Sequence, residues 1–171
     1  MVEKTVTISL RISDSAYKAL QEEAKKQNTS VNTLANQLFL TFTEYDRFLK
    51  KFHMVKLSTP TLRSIIDAAS EPDVVEAGST SGSSVPIAFV VAKTGNLTFD
   101  HAIEYLRLMG AYANLFEYSE ASDGGHVSIT LTHELGPKGS TFIANYVEAI
   151  FKRFGKPFKV NKYKDAVTLE F

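Results

Sequence analysis

Residues 5–13 read Thr-Val-Thr-Ile-Ser-Leu-Arg-Ile-Ser, with Val6, Ile8, Leu10 and Ile12 on one side and Thr5, Thr7, Ser9 and Arg11 on the other. A period of two predicts a β-strand. The segment that follows is helical, so this strand has no hairpin partner. It must pair with a distant segment or with another chain, because an unpaired edge is costly. Ser13 and Asp14 are good N-cap residues for a helix over about 15–27, with a thin stripe of Tyr17, Leu20 and Ala24. Asn28-Thr29 breaks that helix, and Ser30 caps a second. Val31, Ala35, Leu38, Phe42, Tyr45, Leu49 and Phe52 then recur at alternating spacings of four and three. This heptad predicts one long helix with a coiled-coil-like seam, serving as a dimer core or carrying a second domain.

Further on, Ser58-Thr59-Pro60 restarts the chain as a cap followed by proline in the first turn, and Leu62, Ile65, Ile66 and Ala69 continue that helix. Residues 71–84 are rich in Ser, Gly and Pro and read as a loop or a poorly formed helix, with 85–92 left open. Asn96 or Thr98 caps a helix with Phe99, Ala102, Ile103, Leu106 and Met109 inward, which Gly110 closes. Residues 112–118 and 126–133 flank Asp123-Gly124-Gly125 and predict a hairpin. Gly136-Pro137 breaks the chain before a helix over about 139–154, with Ile143, Val147, Ile150 and Phe154 in one stripe and Gly155 after it. Residues 158–162 and 166–171 predict a closing hairpin. The pattern therefore predicts an α+β body with an antiparallel sheet of about four strands.

The length of 171 residues suits one good-sized domain or two small ones, and 44% hydrophobic with 22% charged residues is a globular composition. The chain has no Cys, which excludes disulfides, thiolate metal sites and a Cys nucleophile, and fits a reducing, cytoplasmic compartment. The N-terminal residues lack the apolar stretch of a signal peptide. No apolar run approaches the roughly 20 residues of a membrane span, so a membrane partner is not expected. The net charge is zero overall, but it is unevenly placed. Residues 1–56 carry nine Lys/Arg against six Asp/Glu, or +3, and residues 57–171 carry ten against thirteen, or −3. A basic head on an acidic body points to the head as the part that meets a polyanion.

A strand, a short helix, a break and a longer helix within about 45 residues resemble the ribbon-helix-helix (MetJ/Arc/CopG-type) DNA-binding family. The resemblance rests on Thr7-Ile8-Ser9-Leu10-Arg11-Ile12-Ser13, then Tyr17, Leu20 and Ala24, then Asn28-Thr29-Ser30 before Leu34 and Ala35. Asn28 stands where the family's turn usually has Gly, and Asn tolerates the left-handed conformation. The resemblance implies a homodimer whose two strands pair into an antiparallel ribbon that enters the major groove of double-stranded DNA. It implies that Thr7, Ser9 and Arg11 contact bases. The backbone at Ser30, Val31 and Asn32 would hold a phosphate at a helix N-terminus, with Lys4, Lys25 and Lys26 as further phosphate contacts.

The expected organisation is a DNA-binding domain over 1–54 with an extended second helix, and an α+β sensor or oligomerisation domain over 58–171. The body's apolar residues exceed what a minimal domain needs, which points to an effector pocket for a small molecule or protein, or to a higher oligomer. The function expected is a transcriptional regulator with no cofactor and no metal. One rival is an antitoxin-type autoregulator, although such proteins end in a disorder-prone tail and this body is periodic. The other is an enzyme whose N-terminal unit only dimerises. His101 and Glu104, one turn apart, lack a third metal ligand. His133-Glu134 with Ser140 nearby lacks the strained turn of a nucleophile elbow.

Overall fold

Capping residues set the first helices in the computed structural model, which describes residues 5–49 and 52–171. The chain divides into two compact units, Met1–Thr43 and Glu44–Phe171. In the first, the Ser13 hydroxyl accepts the Ala16 amide at 3.2 Å and opens α1 (Asp14–Lys26). Asn28 turns the chain with φ 50°, its amide bonding Lys25 O at 3.2 Å while Thr29 N reaches Ala24 O at 2.9 Å. The Ser30 hydroxyl accepts the Thr33 amide at 3.0 Å and opens α2 (Val31–Thr41). The two helices pack on each other, and each buries one side chain, Ala24 and Leu34.

The expected strand is not formed: residues 5–13 are neither helix nor strand. The physical reason is the one the alternation raised. A strand exists only in a ladder, and none of the four strands among the described residues pairs with this segment.

The expected long second helix is also interrupted. Phe42–Asp46 form a π turn and α3 is only Arg47–Leu49. The inserted residue of a π turn rotates the stripe. Leu38 and Phe42 stay exposed, while Tyr45 is buried in the second unit, with Phe48, Leu49 and Phe52 packed on the same core. The Tyr45 ring lies 5.6 Å from Phe89 and 5.9 Å from Tyr112. The latter half of the heptad is therefore core of the body and not an intermolecular seam.

The second unit continues with α4 (Thr59–Ala68), capped by Ser58, and α5 (Glu71–Thr94). The region read as a loop or poor helix is thus one 24-residue helix. Ser70 and Asp73 form a capping box at its start, and Gly95 ends it with φ 81°. Packing overrides the weak propensity of its glycines. The buried stripe Val74, Gly78, Gly82, Pro86 and Val90 recurs every four residues. A Cβ on Gly78 would lie 2.5 Å from Phe142 O, and one on Gly82 would lie 2.2 Å from Tyr146 O. Only glycine lets α5 come this close to α7. By length and composition α5 is also the one helix among the described residues that could cross a membrane, with mean hydropathy 1.2. Gly, Ser and Thr interleave its apolar residues, so it contains no unbroken apolar run of membrane-spanning length.

Thr98 caps α6 (Phe99–Leu108), which runs on into a π turn at Met109–Ala113 and does not stop at Gly110. The first hairpin strand, β1, then starts later than expected, at Glu117–Asp123. It pairs with β2 (His126–Thr132) through Gly124 and Gly125, whose φ values of 55° and 91° suit a two-residue hairpin turn. Gly136, with φ 72°, and Pro137 open α7 (Gly136–Phe151) instead of breaking the chain, and Lys152–Phe154 extend it as a 3₁₀ turn ended by Gly155. β3 (Lys159–Lys162) and β4 (Ala166–Glu170) close an antiparallel sheet of order β1-β2-β4-β3. Ile129 pairs with Leu169 and Leu131 with Val167, all four fully buried. They share one core with Ile143, Val147 and Ile150 of α7, which packs on β3, β4 and α5. The body is mixed α+β.

Candidate DNA-binding face and body cavity

Thr7, Ser9 and Arg11 are exposed on residues 5–13, and without a ladder they are not aligned on a ribbon. Lys4 lies outside the described residues. Lys25 and Lys26 occupy the last turn of α1, exposed, with Lys26 3.6 Å from Glu23. The tight turn at Asn28 brings these two lysines next in the chain to the N-terminus of α2. There the Ser30 hydroxyl is engaged by the Thr33 amide and, at 2.8 Å, by the Thr33 hydroxyl. The amides of Val31 and Asn32 belong to the first turn, whose donors have no intrahelical acceptor. Lys25, Lys26, Ser30, Val31 and Asn32 are thus neighbours along the chain, and of the three base-reading candidates Thr7 lines one groove with Val31 and Asn32 while Ser9 and Arg11 do not.

The apolar alternates of residues 5–13 are uncovered. Val6 is 78% exposed, Ile8 62%, Leu10 61% and Ile12 50%. With Leu20, Val31, Ala35, Leu38 and Phe39 they line an open groove of about 610 Å³. Thr7 also borders this groove, whereas Ser9 and Arg11 do not.

The body holds a second feature, a cavity of about 430 Å³, whose place and lining the sequence did not announce. One wall is the α5 row Asp73, Ala77, Ser81, Val85 and Phe89, adjacent to the buried glycine stripe. Tyr45, Leu49, Ile66, Tyr105, Met109, Phe142 and Tyr146 contribute others. The Tyr105 and Tyr146 hydroxyls are 2.6 Å apart, and burial pushes both well above the ordinary tyrosine range. The Tyr45 hydroxyl donates to Met109 Sδ at 3.5 Å, and burial, then the Asp46 charge, raises its pKa. Asp73, the one charged residue of the lining among the described residues, accepts from the Ser70 amide and hydroxyl. The signal that could have found this cavity was the pair of glycines four apart, Gly78 and Gly82, in an otherwise helical phase.

His133 and Ser140, flagged as a possible catalytic pair, do meet: His133 Nε2 is 3.0 Å from Ser140 Oγ. The polarity is that of a structural clasp. Leu135 N–H donates to His133 Nδ1 at 3.1 Å, so the neutral ring carries its proton on Nε2 and donates to Ser140. Ser140 in turn donates to Lys164 O at 3.2 Å. A general base would need Nε2 free to accept the serine proton. Asp165 bonds the Gly136 amide at 3.0 Å rather than the imidazole. Burial lowers the His133 pKa, against a smaller raising effect of Asp165. His101 Nδ1 lies 3.1 Å from Asn96 O, and Glu104 is 3.4 Å from Arg107. Among the described residues no group of three or more His, Asp or Glu side chains is arranged to hold a metal. Compared with known proteins, this chain matches no family model, no curated protein and no solved structure.

Proposed function

We propose that the protein is a dimeric, sequence-specific DNA-binding transcriptional regulator of ribbon-helix-helix type, whose body senses an effector or sets the oligomer. The observation that carries this reading is the uncovered apolar face of residues 5–13 beside two capped helices. A second copy whose strand pairs antiparallel supplies both missing elements, the ladder partner and the cover for Val6, Ile8, Leu10 and Ile12. Pairing also aligns Thr7, Ser9 and Arg11 on the ribbon's other face, where Arg11 can reach guanine O6 and N7. Lys25, Lys26 and the start of α2 then meet the phosphates on either side. The +3 charge of residues 1–56 doubles in a dimer.

The antitoxin reading is less well supported, because the chain beyond the first unit is a folded α+β body and not a tail. Selection of binding sites from random double-stranded DNA, at stated salt, is the test. The expected result is one two-fold symmetric site bound by the wild type and discriminated poorly by Arg11→Ala. A protein that enriches no site, or whose enriched site Arg11→Ala binds with unchanged discrimination, overturns the reading.

A further inference from the structure

The body cavity opens to the surface, with Met54, Ile65 and Ala77 of its lining exposed, and its volume of about 430 Å³ lies within the range of small-molecule pockets. Its construction also argues for a formed site. The glycine stripe of α5 pulls that helix onto α7, and the neighbouring row of small side chains, Ala77 and Ser81, leaves the space open where larger residues would fill it.

The lining determines what can enter. Among the described residues no Lys, Arg or His borders the cavity, and the Asp73 carboxylate is engaged by the helix cap. An anion would therefore lose its hydration without a counter-charge. A neutral, mostly apolar molecule meets no such penalty. One polar feature remains. Tyr105 and Tyr146, both bordering the cavity and both buried, carry two hydroxyl protons, and their mutual bond uses one. The other proton has no protein acceptor among the described residues. A buried O–H without an acceptor is costly unless a ligand supplies one.

We propose that this cavity is a binding site for a neutral, lipophilic small molecule carrying a hydrogen-bond acceptor, such as a ketone or ester oxygen, which the Tyr105–Tyr146 hydroxyl pair engages. As the effector site of a regulator it rests on the function proposed above; as a ligand site it does not. Tyr45 and Leu49, which border the cavity, belong to the segment that follows α2 directly in the chain, so an occupant bears on residues continuous with the DNA-binding unit.

The experiment is calorimetric titration of the full chain, without DNA, with three ligands of one shape: 2-acetylnaphthalene, 2-ethylnaphthalene and 2-naphthoate. The expected result is one ketone per chain, bound at least tenfold tighter than the hydrocarbon, and no binding of the carboxylate. The double variant Tyr105→Phe/Tyr146→Phe removes both hydroxyls together, which leaves neither partner orphaned. It should bring the ketone-to-hydrocarbon ratio to within about twofold of unity. Ala77→Trp should abolish binding of both while the circular dichroism of the chain stays unchanged. Failure of the wild type to bind the ketone, equal affinity for ketone and hydrocarbon, or binding untouched by Ala77→Trp each overturns the proposal. Because no DNA is present, these failures leave the DNA-binding reading standing, and a chain that binds the ketone but selects no DNA site refutes only the latter.

Discussion

The two units use the same sequence device to opposite ends. In β2 and β4, alternation puts Ile129, Leu131, Val167 and Leu169 into a core that the chain itself completes. In residues 5–13, alternation of equal regularity leaves Val6, Ile8, Leu10 and Ile12 in water. Each such side chain forgoes about 1.5–3 kcal/mol of burial. The body completes a core of its own, whereas among the described residues the first unit buries only Ala24 and Leu34 as hydrophobic residues. An apolar pattern specifies that a face will be covered, not by which chain. The second copy proposed above would supply both the missing cover of the first unit and an antiparallel strand.

The comparison predicts a graded set of effects. The largest belongs to the body. Gly82→Ala puts a Cβ against Tyr146 O, a backbone atom that cannot step aside, and should cost about 3 kcal/mol or more. Urea denaturation followed by circular dichroism should show the loss as a lower midpoint, at any protein concentration. Leu10→Asp should act on association instead. A carboxylate placed in a two-copy apolar interface should weaken it by about 3 kcal/mol, roughly a hundredfold in dissociation constant, while the body's unfolding midpoint holds. Arg11→Ala touches neither core and should cost about 1–3 kcal/mol on the selected DNA site, read as a smaller ratio of specific to non-specific affinity.

The smallest effect is on pH. Burial holds the folded His133 pKa below its ordinary value of 6.5, so as pH falls through that value the unfolded chain takes up the proton first. Stability is full above about 6.5 and declines below it until the folded pKa is reached. His133→Asn, which keeps an acceptor for the Leu135 amide, should flatten the decline of the body's stability below about pH 6.5. If the slope persists in the variant, His133 is not its source.

Much of this architecture is legible before folding. The caps Ser13, Ser30, Ser58 and Thr98 each accept the amide their position predicts, because capping is a local matter of three or four residues. The Gly124-Gly125 turn and the alternation of β2 are local too. What escaped was decided at a distance. The helix α5 carries glycines and a proline that weaken it in isolation, and it is held by the close approach to Phe142 and Tyr146, more than 60 residues on. The heptad reads identically whether Tyr45 and Leu49 meet another helix or their own body, and the ring of Phe89 settles it. Strand β1 is polar throughout except for Tyr118 and Ala121, so its register comes from β2 and not from its own pattern. The cavity lay furthest from the sequence, since its walls come from α3, α4, α5, α6 and α7 and no short motif spans them.

The central claim is that residues 5–13 are completed by the same residues of a second copy. Mixing isotope-labelled with unlabelled full-length chain and recording filtered nuclear Overhauser spectra tests it directly. The account predicts intermolecular contacts between backbone protons of residues 5–13 in antiparallel register, all lost in Leu10→Asp. A wild-type chain that tumbles as a monomer at that concentration, with no intermolecular contact along this segment, would contradict it.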